Sequence, residues 1–207
     1  GGRKVHKAPI PRIGGVALYL SFFLPFGSAF FYQTVALEKI MLGGGAGLAA
    51  FAGGATVAFG LGMIDDIKRL RPHIKILVQA GAAVTAYAGG IRITRIDFGW
   101  EMIELGVFSF PVTVFWFLLF VNAINLIDGL DGLAGGIVFF AASTMTILLA
   151  WRGDLANAAW FAIISGSCLG FLRYNFNPAS VFLGDGGSYF LGYAMAAFSI
   201  LAEFKSH

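Results

Sequence analysis

The sequence predicts an all-α protein that crosses a membrane about seven times. Hydrophobic residues make up 58% of the 207 residues and charged residues only 12%, and the mean hydropathy is +0.81. Soluble domains carry about 25% charged residues, so this balance indicates an integral membrane protein. The apolar residues also fall into runs that recur at the length of a membrane-spanning helix. We therefore treat residues 1–207 as one transmembrane domain.

Seven apolar runs, joined by short polar segments, predict the individual spans. A single cysteine, Cys168, lies inside one of these runs, so no disulfide within the chain is expected. Glycine is frequent, which suits helices that pack with their backbones close together. The predicted spans cover residues 13–35, 42–64, 73–89, 111–127, 133–151, 158–172 and 189–201.

One segment, residues 91–110, departs from the helical pattern. It begins I-R-I-T-R-I-D-F, which alternates apolar and polar residues, and Gly99 and Gly106 interrupt it. Alternation with a period of two is typical of a β-strand. We expect a short β-hairpin outside the bilayer, on the side away from the cytoplasm.

The charged residues indicate which membrane face is cytoplasmic. With strict alternation of spans, the segment before the first span and the loops near residues 65, 128 and 185 share one face. Nine basic residues fall on that face: Arg3, Lys4, Lys7, Arg12, Lys68, Arg69, Arg71, Lys75 and Arg173. Five fall on the other, and the positive-inside rule therefore makes the first face cytoplasmic. The acids on this face are all aspartates, and short carboxylates among basic residues suggest Mg²⁺ and phosphate.

The segment N-A-I-N-L-I-D-G-L-D-G-L, residues 122–133, stands between two apolar runs that carry no charge. Asp128 and Asp131 are three residues apart, a spacing that places side chains on one face of a helical turn. Carboxylates this close repel unless a cation or a proton lies between them. A polar turn between two spans is the simpler alternative. Such a turn does not require two Asp and two Asn at helical spacing.

Three further segments carry polar residues to the same face. Asp65 and Asp66 end the second span, and Lys75 follows one turn into the third; the alternative is a boundary loop whose basic residues reach the headgroups. F-L-G-D-G-G-S, residues 182–188, opens a helix whose N–H groups could receive an anion, or it is a plain turn. The basic start of the chain is either a substrate site or a contact to anionic lipid. Nucleic-acid binding is not expected, because the basic residues border membrane spans.

Four segments together resemble the polyprenyl-phosphate N-acetylhexosamine-1-phosphate transferases. They read K-V-H-K-A-P-I-P-R-I-G-G, G-M-I-D-D-I-K-R-L-R-P-H-I-K-I-L-V-Q, N-A-I-N-L-I-D-G-L-D-G-L-A-G-G and Y-N-F-N-P-A-S-V-F-L-G-D-G-G-S. They stand in the family's order over residues 1–192. The P-R-I-G-G form and the hairpin before Pro111 are more similar to the bacterial WecA/TagO branch than to the phospho-MurNAc-pentapeptide transferases.

The resemblance implies a phosphoryl transfer at the membrane surface. A polyprenyl (undecaprenyl) phosphate attacks the β-phosphate of UDP-N-acetylglucosamine, and the products are polyprenyl-diphosphate-N-acetylglucosamine and UMP. This reaction initiates cell-envelope glycan synthesis and requires Mg²⁺, with Mn²⁺ as the second choice. The implied partners are the UDP-sugar, the lipid phosphate, the bilayer and a second copy in a homodimer. The implied location is the bacterial cytoplasmic membrane, with the active face toward the cytoplasm.

The matching motifs also imply a set of site residues. The aspartate pair belongs at the lipid phosphate or the metal, and the residues after the fourth and sixth spans belong near the nucleotide. The implied catalytic residues are Asp65, Asp66, Lys75 and Asp128. The implied metal ligands are Asp185 and Asn125. The implied substrate-binding residues are Lys4, His6, Asn125, Asp131, Asn175 and Phe182.

The chain also departs from the family pattern. Family members have about ten or eleven spans and a late cytoplasmic loop with a His-rich motif, so we expect this chain to be part of that fold, incomplete at both ends. A different donor, such as UDP-MurNAc-pentapeptide, stays open within the family. Outside it, the alternatives are an inactive membrane scaffold and a cation transporter. A transporter favours acids near mid-membrane, whereas these cluster at one face.

Overall fold

The computed structural model describes residues 11–31 and 45–202 and confirms the all-α class. Long α-helices account for most of the described residues. They are α1 Gly14–Phe31, α2 Gly45–Lys68, α3 Pro72–Ala88, α4 Ser109–Ile127, α5 Leu133–Trp151, α6 Leu155–Asn175 and α7 Gly184–Leu201. By length and composition α2, α4, α5 and α6 could each cross a membrane, and α1 contains a shorter apolar stretch, Gly14–Pro25.

The seven predicted spans correspond to these helices, although α3 and α7 are less apolar than a helix surrounded by lipid. Lys75 and Gln79 interrupt the apolar surface of α3, which has 17 residues. Helix α7 is buried at every position from 186 to 198, because α1, α2, α4 and α6 surround it. A helix that contacts protein on all sides does not need a lipid-facing surface. Its Gly, Ser and Tyr content follows from that position.

Glycines let α7 approach its neighbours at backbone distance. Gly62 of α2 lies against the backbone of Asp185 and Gly186, and a Cβ atom there would overlap the Asp185 carbonyl oxygen. Gly15 of α1 lies against Gly187 in the same way. Small residues at helix crossings are typical of membrane proteins. These contacts place the start of α7 beside the end of α2.

An aromatic cluster holds the other half of α7. Phe198 lies 4.8 Å from Phe51 and 5.0 Å from Trp160, measured between ring centroids, and Phe22 and Phe190 belong to the same cluster. All five rings are buried. Aromatic pairs at these distances add about 0.5–1.5 kcal/mol each beyond the area that they bury. The orientation of α7 is therefore fixed at both of its ends.

The predicted hairpin is confirmed. Strand β1 Arg95–Asp97 pairs antiparallel with β2 Met102–Glu104, with Arg95 opposite Glu104. A 3-10 helix, Gly106–Phe108, then leads into α4. The Ile93 N–H donates to Thr113 Oγ1 at 2.9 Å and attaches the hairpin to α4.

Residues 65–72, between the predicted spans 42–64 and 73–89, are expected from their charges to form a loop, and that prediction is wrong in its extent. Helix α2 continues to Lys68, so Asp65 and Asp66 are helical, and only residues 69–71 connect α2 to α3. The Leu70 N–H donates to Asp65 Oδ1 at 2.7 Å, which supports the last helical turn. Arg71 is extended, as expected for the residue before Pro72.

The helices place the connections at two opposite ends, as strict alternation of spans requires. Arg12, the connection 69–71, the turn 128–132 and the segment 176–183 meet at one end, which we call the aspartate end. The hairpin and the turn at residues 152–154 lie at the other, which we call the hairpin end. There Asn157 Nδ2 donates to the Leu201 carbonyl oxygen at 3.1 Å.

We predict that Gly62→Ala destabilises the protein, whereas Gly60→Ala does not. The added methyl group at Gly62 meets the backbone of α7, which has no room to yield, while the same group at Gly60 meets no atom within 4 Å. Overpacking of this kind costs about 1–3 kcal/mol. Melting temperatures of the two variants in one detergent measure the difference. Equal melting temperatures would show that the α2–α7 contact is not close-packed.

Candidate functional site

Asp65 is a buried carboxylate that holds Lys75. It is only 2% exposed, and Lys75 Nζ forms an ion pair with its Oδ2 atom. The Tyr189 hydroxyl donates to the same oxygen at 3.1 Å, and Leu70 N–H donates to the other oxygen. A buried charge is stable when it is paired and hydrogen-bonded in this way. These contacts fix the Lys75 ammonium at the aspartate end.

Asp66 closes the N-terminus of α7. Its Oδ2 atom accepts from Asp185 N–H at 2.8 Å and from Gly186 N–H at 3.4 Å. Its Oδ1 atom pairs with Arg12 Nη1 at 3.2 Å. A helix N-terminus carries partial positive charge, which stabilises a carboxylate there. The sequence indicated that N–H groups here could receive an anion, and these two bind the protein's own Asp66 carboxylate.

Gly184 makes this contact geometrically accessible. Its φ angle is +74°, a conformation that side chains other than glycine rarely adopt. A Cβ atom there would also lie 2.7 Å from Asp66 Oδ2. The first glycine of G-D-G-G-S thus allows the Asp66 carboxylate to reach the helix N-terminus.

Asn125 connects α4 to the first turn of α7. Its Nδ2 atom donates to Asp185 Oδ1 and to Ser188 Oγ, both at 3.0 Å. The Asp185 carboxyl group is also within hydrogen-bonding reach of Asp65. In the part of the chain that the structure describes, the Asn125 amide oxygen forms no hydrogen bond. Asp185 and Asn125 therefore present oxygen atoms side by side at the aspartate end.

Asp128 and Asp131 do not share a helical face, so that prediction is wrong. Helix α4 ends at Ile127, and residues 128–132 form a turn. The turn directs Asp131 to the segment after α6, where its Oδ2 atom accepts from Asn177 Nδ2 at 3.2 Å and from Ala179 N–H at 3.0 Å. Asp128 stays close enough to the other acids to interact with them electrostatically.

The surroundings of Asp128 disfavour its negative charge. Burial, followed by the charges of Asp185 and Asp66, raises the pKa of Asp128 to about 7, and Arg12 opposes the shift. No side chain in residues 11–31 or 45–202 forms an ion pair or hydrogen bond with this carboxyl group. A cation placed between Asp128 and Asp185 would relieve the repulsion.

Asn175 ties together the two loops beside the carboxylates. It is 4% exposed, its Oδ1 atom accepts from Gly132 N–H at 3.0 Å, and its Nδ2 atom donates to the Val181 carbonyl oxygen at 2.9 Å. Both polar ends of the amide are therefore used within the protein. Asn175 sets the position of the 128–132 turn relative to the segment 176–183.

Phe182 lies where the first and last motifs meet. Its N–H donates to the Pro11 carbonyl oxygen at 3.0 Å, and its carbonyl oxygen accepts from Gly14 N–H at 3.0 Å. The Gly15 N–H continues this pairing with the Leu183 carbonyl oxygen at 2.9 Å. The P-R-I-G-G segment is thus attached by its backbone to F-L-G-D, and the Phe182 side chain is half-buried.

The structure brings together most of the residues that the sequence singled out. The residues that meet at the aspartate end are Asp65, Asp66, Lys75, Asn125, Asp128 and Asp185. Asp131 and Phe182 lie in the adjoining loops, and Asn175 is the last residue of α6. Lys4 and His6 lie outside the described residues.

Sequence reasoning missed three contacting residues: Tyr189, Arg12 as the partner of Asp66, and Ser188. Tyr189 stands four residues after Asp185, a spacing that places it on the same helix face. That spacing was a usable signal. The pairing of Arg12 with Asp66 has no local signal, because the residues are 54 positions apart.

The donor set fits Mg²⁺ in its chemistry. Asp128, Asp185 and the Asn125 amide offer oxygen ligands, which Mg²⁺ prefers. Within the described part of the chain, no group of three or more His, Cys, Asp or Glu side chains is placed to hold a metal alone. Mg²⁺ usually keeps several waters and takes one or two carboxylates together with substrate phosphates. Two carboxylates and one amide are consistent with that mode of binding.

Comparison with known proteins identifies the family. The sequence profile described as glycosyl transferase family 4 matches residues 48–203, more than half of the chain. The chain belongs to glycosyl transferase family 4. This confirms the family that the four motifs predicted.

Curated relatives agree with this assignment. The chain is 35% identical over 206 residues to a probable undecaprenyl-phosphate N-acetylglucosaminyl 1-phosphate transferase of Bacillus subtilis, covering 99% of the chain and 54% of the relative. It is 34% identical over 212 residues to a decaprenyl-phosphate N-acetylglucosaminephosphotransferase of Mycobacterium leprae, covering 97% and 52%. It is also 34% identical over 217 residues to a phospho-N-acetylmuramoyl-pentapeptide-transferase of Synechococcus elongatus, covering 96% and 55%. The chain spans about half the length of these relatives.

We predict that the metal-free protein becomes less stable as the pH rises from about 4 to about 7. An Asp128 carboxyl group releases its proton near 3.8 in the unfolded chain but near 7 in the folded one, so the folded state binds more protons across this range. The stabilisation of the folded state by this bound proton is fully present below pH 4 and lost above pH 7. Melting temperatures in EDTA across this range measure the slope. Asp128→Asn should flatten it, and an unchanged slope in this variant would contradict the prediction.

Proposed function

We propose that the protein transfers N-acetylhexosamine 1-phosphate, most simply N-acetylglucosamine 1-phosphate, from a UDP-sugar to a polyprenyl phosphate. An oxygen of the lipid phosphate forms a bond to the β-phosphorus of the UDP-sugar. The bond from that phosphorus to the bridging oxygen breaks, and UMP leaves with its electron pair. The products are a polyprenyl-diphosphate sugar and UMP.

The observation that carries this proposal is the cluster at the aspartate end. A fixed ammonium, Lys75, lies beside carboxylates whose charges are incompletely offset, at the ends of membrane-spanning helices. A lipid phosphate enters such a site from the bilayer and a nucleotide from the water. Phosphoryl transfer depends mainly on positioning and on neutralising charge, which this arrangement supplies.

Lys75 is proposed to hold the phosphate of the lipid or of the donor. Its side chain is 27% exposed, so the ammonium is accessible, while Asp65 fixes its position. An ammonium acts on phosphate as a compact point charge. Tyr189 and Leu70 N–H hold Asp65 in turn, so Lys75 is positioned through two layers of contacts.

Asp128, Asp185 and Asn125 are proposed to hold Mg²⁺, or Mn²⁺ in its place. The metal would neutralise charge on the phosphates of the donor. Burial and the nearby charges of Asp185 and Asp66 raise the pKa of Asp128, which supports this assignment, because a divalent cation would favour the ionised carboxylate. The Asn125 Nδ2 atom donates to Asp185 Oδ1 and so orients the Asp185 carboxylate.

Asp65 and Asp66 are proposed to position the site rather than to accept a proton. A phosphate monoester has a second pKa of about 6, so at neutral pH most of the lipid phosphate is already a dianion and needs little help from a base. The polar contacts of these two carboxylates are made within the protein, to Lys75, Tyr189, Leu70 N–H, Arg12 and the N–H groups at the start of α7. Their predicted place at the lipid phosphate or the metal stays a prediction.

The nucleotide is proposed to lie over the loops that Asn175 and Asp131 hold in place. Asn175 would act by setting the loop geometry, since both ends of its amide are already bonded. The Phe182 ring is proposed to stack on uracil. Arg12 is 62% exposed and keeps guanidinium donors that its contact with Asp66 does not use.

The proposed location is the bacterial cytoplasmic membrane, with the aspartate end toward the cytoplasm. The excess of basic residues at this end supports that orientation. UDP-MurNAc-pentapeptide is the second candidate donor, because relatives of both kinds match the chain at nearly the same identity.

The test is UMP release by membranes that contain the full-length protein, with undecaprenyl phosphate and each UDP-sugar in turn. We expect Mg²⁺-dependent release with UDP-N-acetylglucosamine. Asp185→Asn should lower kcat by about 10²-fold or more, since it removes a charge placed for the phosphates. Asp154→Asn is the matched control, because Asp154 caps α6 at the hairpin end and Asn caps equally well.

Two results would contradict the proposal. Equal UMP release in EDTA and in Mg²⁺ would show that the reaction does not depend on the metal. Equal activity of Asp185→Asn and Asp154→Asn would show that Asp185, and with it the aspartate end, does not take part in the reaction. UMP release only with UDP-MurNAc-pentapeptide would support the same reaction, with that compound as the donor.

A further inference from the structure

A second polar site lies at the hairpin end, far from the carboxylates. A cavity of about 130 Å³ opens there between the hairpin, α4 and α7. Residues 92–95, Trp116, Ser199 and Ile200 line it. None of these residues has a role in the proposed transfer.

The cavity lies toward the hairpin end of the helices. Trp116 is seven residues into α4, roughly 10 Å along the helix axis, and Ser199 is two residues before the end of α7. A ligand in this cavity would therefore be within reach of lipid molecules on the hairpin side.

The charge of the cavity comes from two arginines, of which Arg92 is the more available. In residues 11–31 and 45–202 Arg92 forms no ion pair; its guanidinium lies 5.7 Å from the centre of the Tyr87 ring, which holds it by a cation–π contact. Arg95 is half-buried and stands opposite Glu104 in the hairpin. A guanidinium that forms no ion pair with a described carboxylate suits an anion with two oxygens that accept from its N–H groups.

The floor of the cavity is apolar and fixed. Trp116 Nε1 donates to Ser199 Oγ at 2.9 Å, and the Ser199 hydroxyl donates to the Ala196 carbonyl oxygen at 2.8 Å. These bonds satisfy the polar atoms of the floor. The Trp116 ring and the side chains of Ile93 and Ile200 therefore contribute apolar surface to the cavity lining.

We propose that this cavity binds the phosphate group of an anionic phospholipid on the hairpin side of the membrane. The Arg92 guanidinium binds the phosphate oxygens, Arg95 adds positive charge, and the apolar floor contacts the glycerol and first methylene groups. A free phosphate ion offers the same oxygens without the apolar part. The apolar floor is the reason for assigning a lipid.

The test is native mass spectrometry of the protein released from nanodiscs that contain phosphatidylglycerol and phosphatidylcholine in equal amounts. We expect phosphatidylglycerol to be retained in preference. Arg92→Gln should lower this retention about tenfold, the effect of losing one charge-assisted hydrogen bond. Arg152→Gln is the matched control, because it removes the same charge from the same membrane side but does not line the cavity.

A second variant keeps the test independent of any effect of Arg92 on folding. Thr94→Glu adds a carboxylate at an exposed position of the cavity wall and should reduce retention similarly. Equal retention of phosphatidylglycerol by Arg92→Gln and Arg152→Gln would overturn the proposal. So would stabilisation of the detergent-solubilised protein by inorganic phosphate together with no preference between the two lipids, since the ligand would then be a free anion.

Discussion

The hydrogen bonds from the N-terminus of α7 to the Asp66 carboxylate are the interaction on which the rest of the site depends. They join the end of α2 to the start of the buried central helix, and Arg12 brings the segment before α1 to the same carboxylate. Two glycines allow α2 to reach the start of α7. Gly62 lets the two backbones meet, and Gly184 adopts the positive φ angle that the contact requires. The first turn of α7, which carries Asp185, is placed by this contact.

The acids at the aspartate end divide into two kinds by their partners. Asp65 and Asp66 are bonded to an ammonium, a hydroxyl, a guanidinium and backbone N–H groups, so their charges are offset within the protein. Asp128 has no such partner among the described residues, and burial, followed by the charges of Asp185 and Asp66, raises its pKa. Asp65 and Asp66 stabilise the packing of the helices at the aspartate end, whereas Asp128 is left to interact with ligands. This division follows from contacts alone and does not require any residue role to be assumed.

The fold was largely predictable from the sequence, and so was the gathering of the aspartates. Apolar runs fix the helices, and alternation of spans fixes which loops meet, because a helix that crosses a membrane must end on the other side. The contacts of Asp65 and Asp66, which are adjacent in the chain, were not predictable from the sequence. Asp65 and Asp66 are about 100° apart around a helix, so they face different neighbours, and those neighbours depend on how α7 packs. The turn at 128–132 was misjudged because spacing alone does not show that α4 ends at Ile127.

The most direct test of this account is the melting temperature of Asp66→Ala and Asp66→Asn, measured without metal or substrate. Asparagine can still accept hydrogen bonds at a helix N-terminus, whereas alanine cannot. The account predicts that Asp66→Asn melts close to the wild-type protein and that Asp66→Ala loses about 1–3 kcal/mol of stability, because buried N–H groups lose their acceptor. Wild-type melting of Asp66→Ala would contradict it, since the carboxylate would then not hold α7 in place.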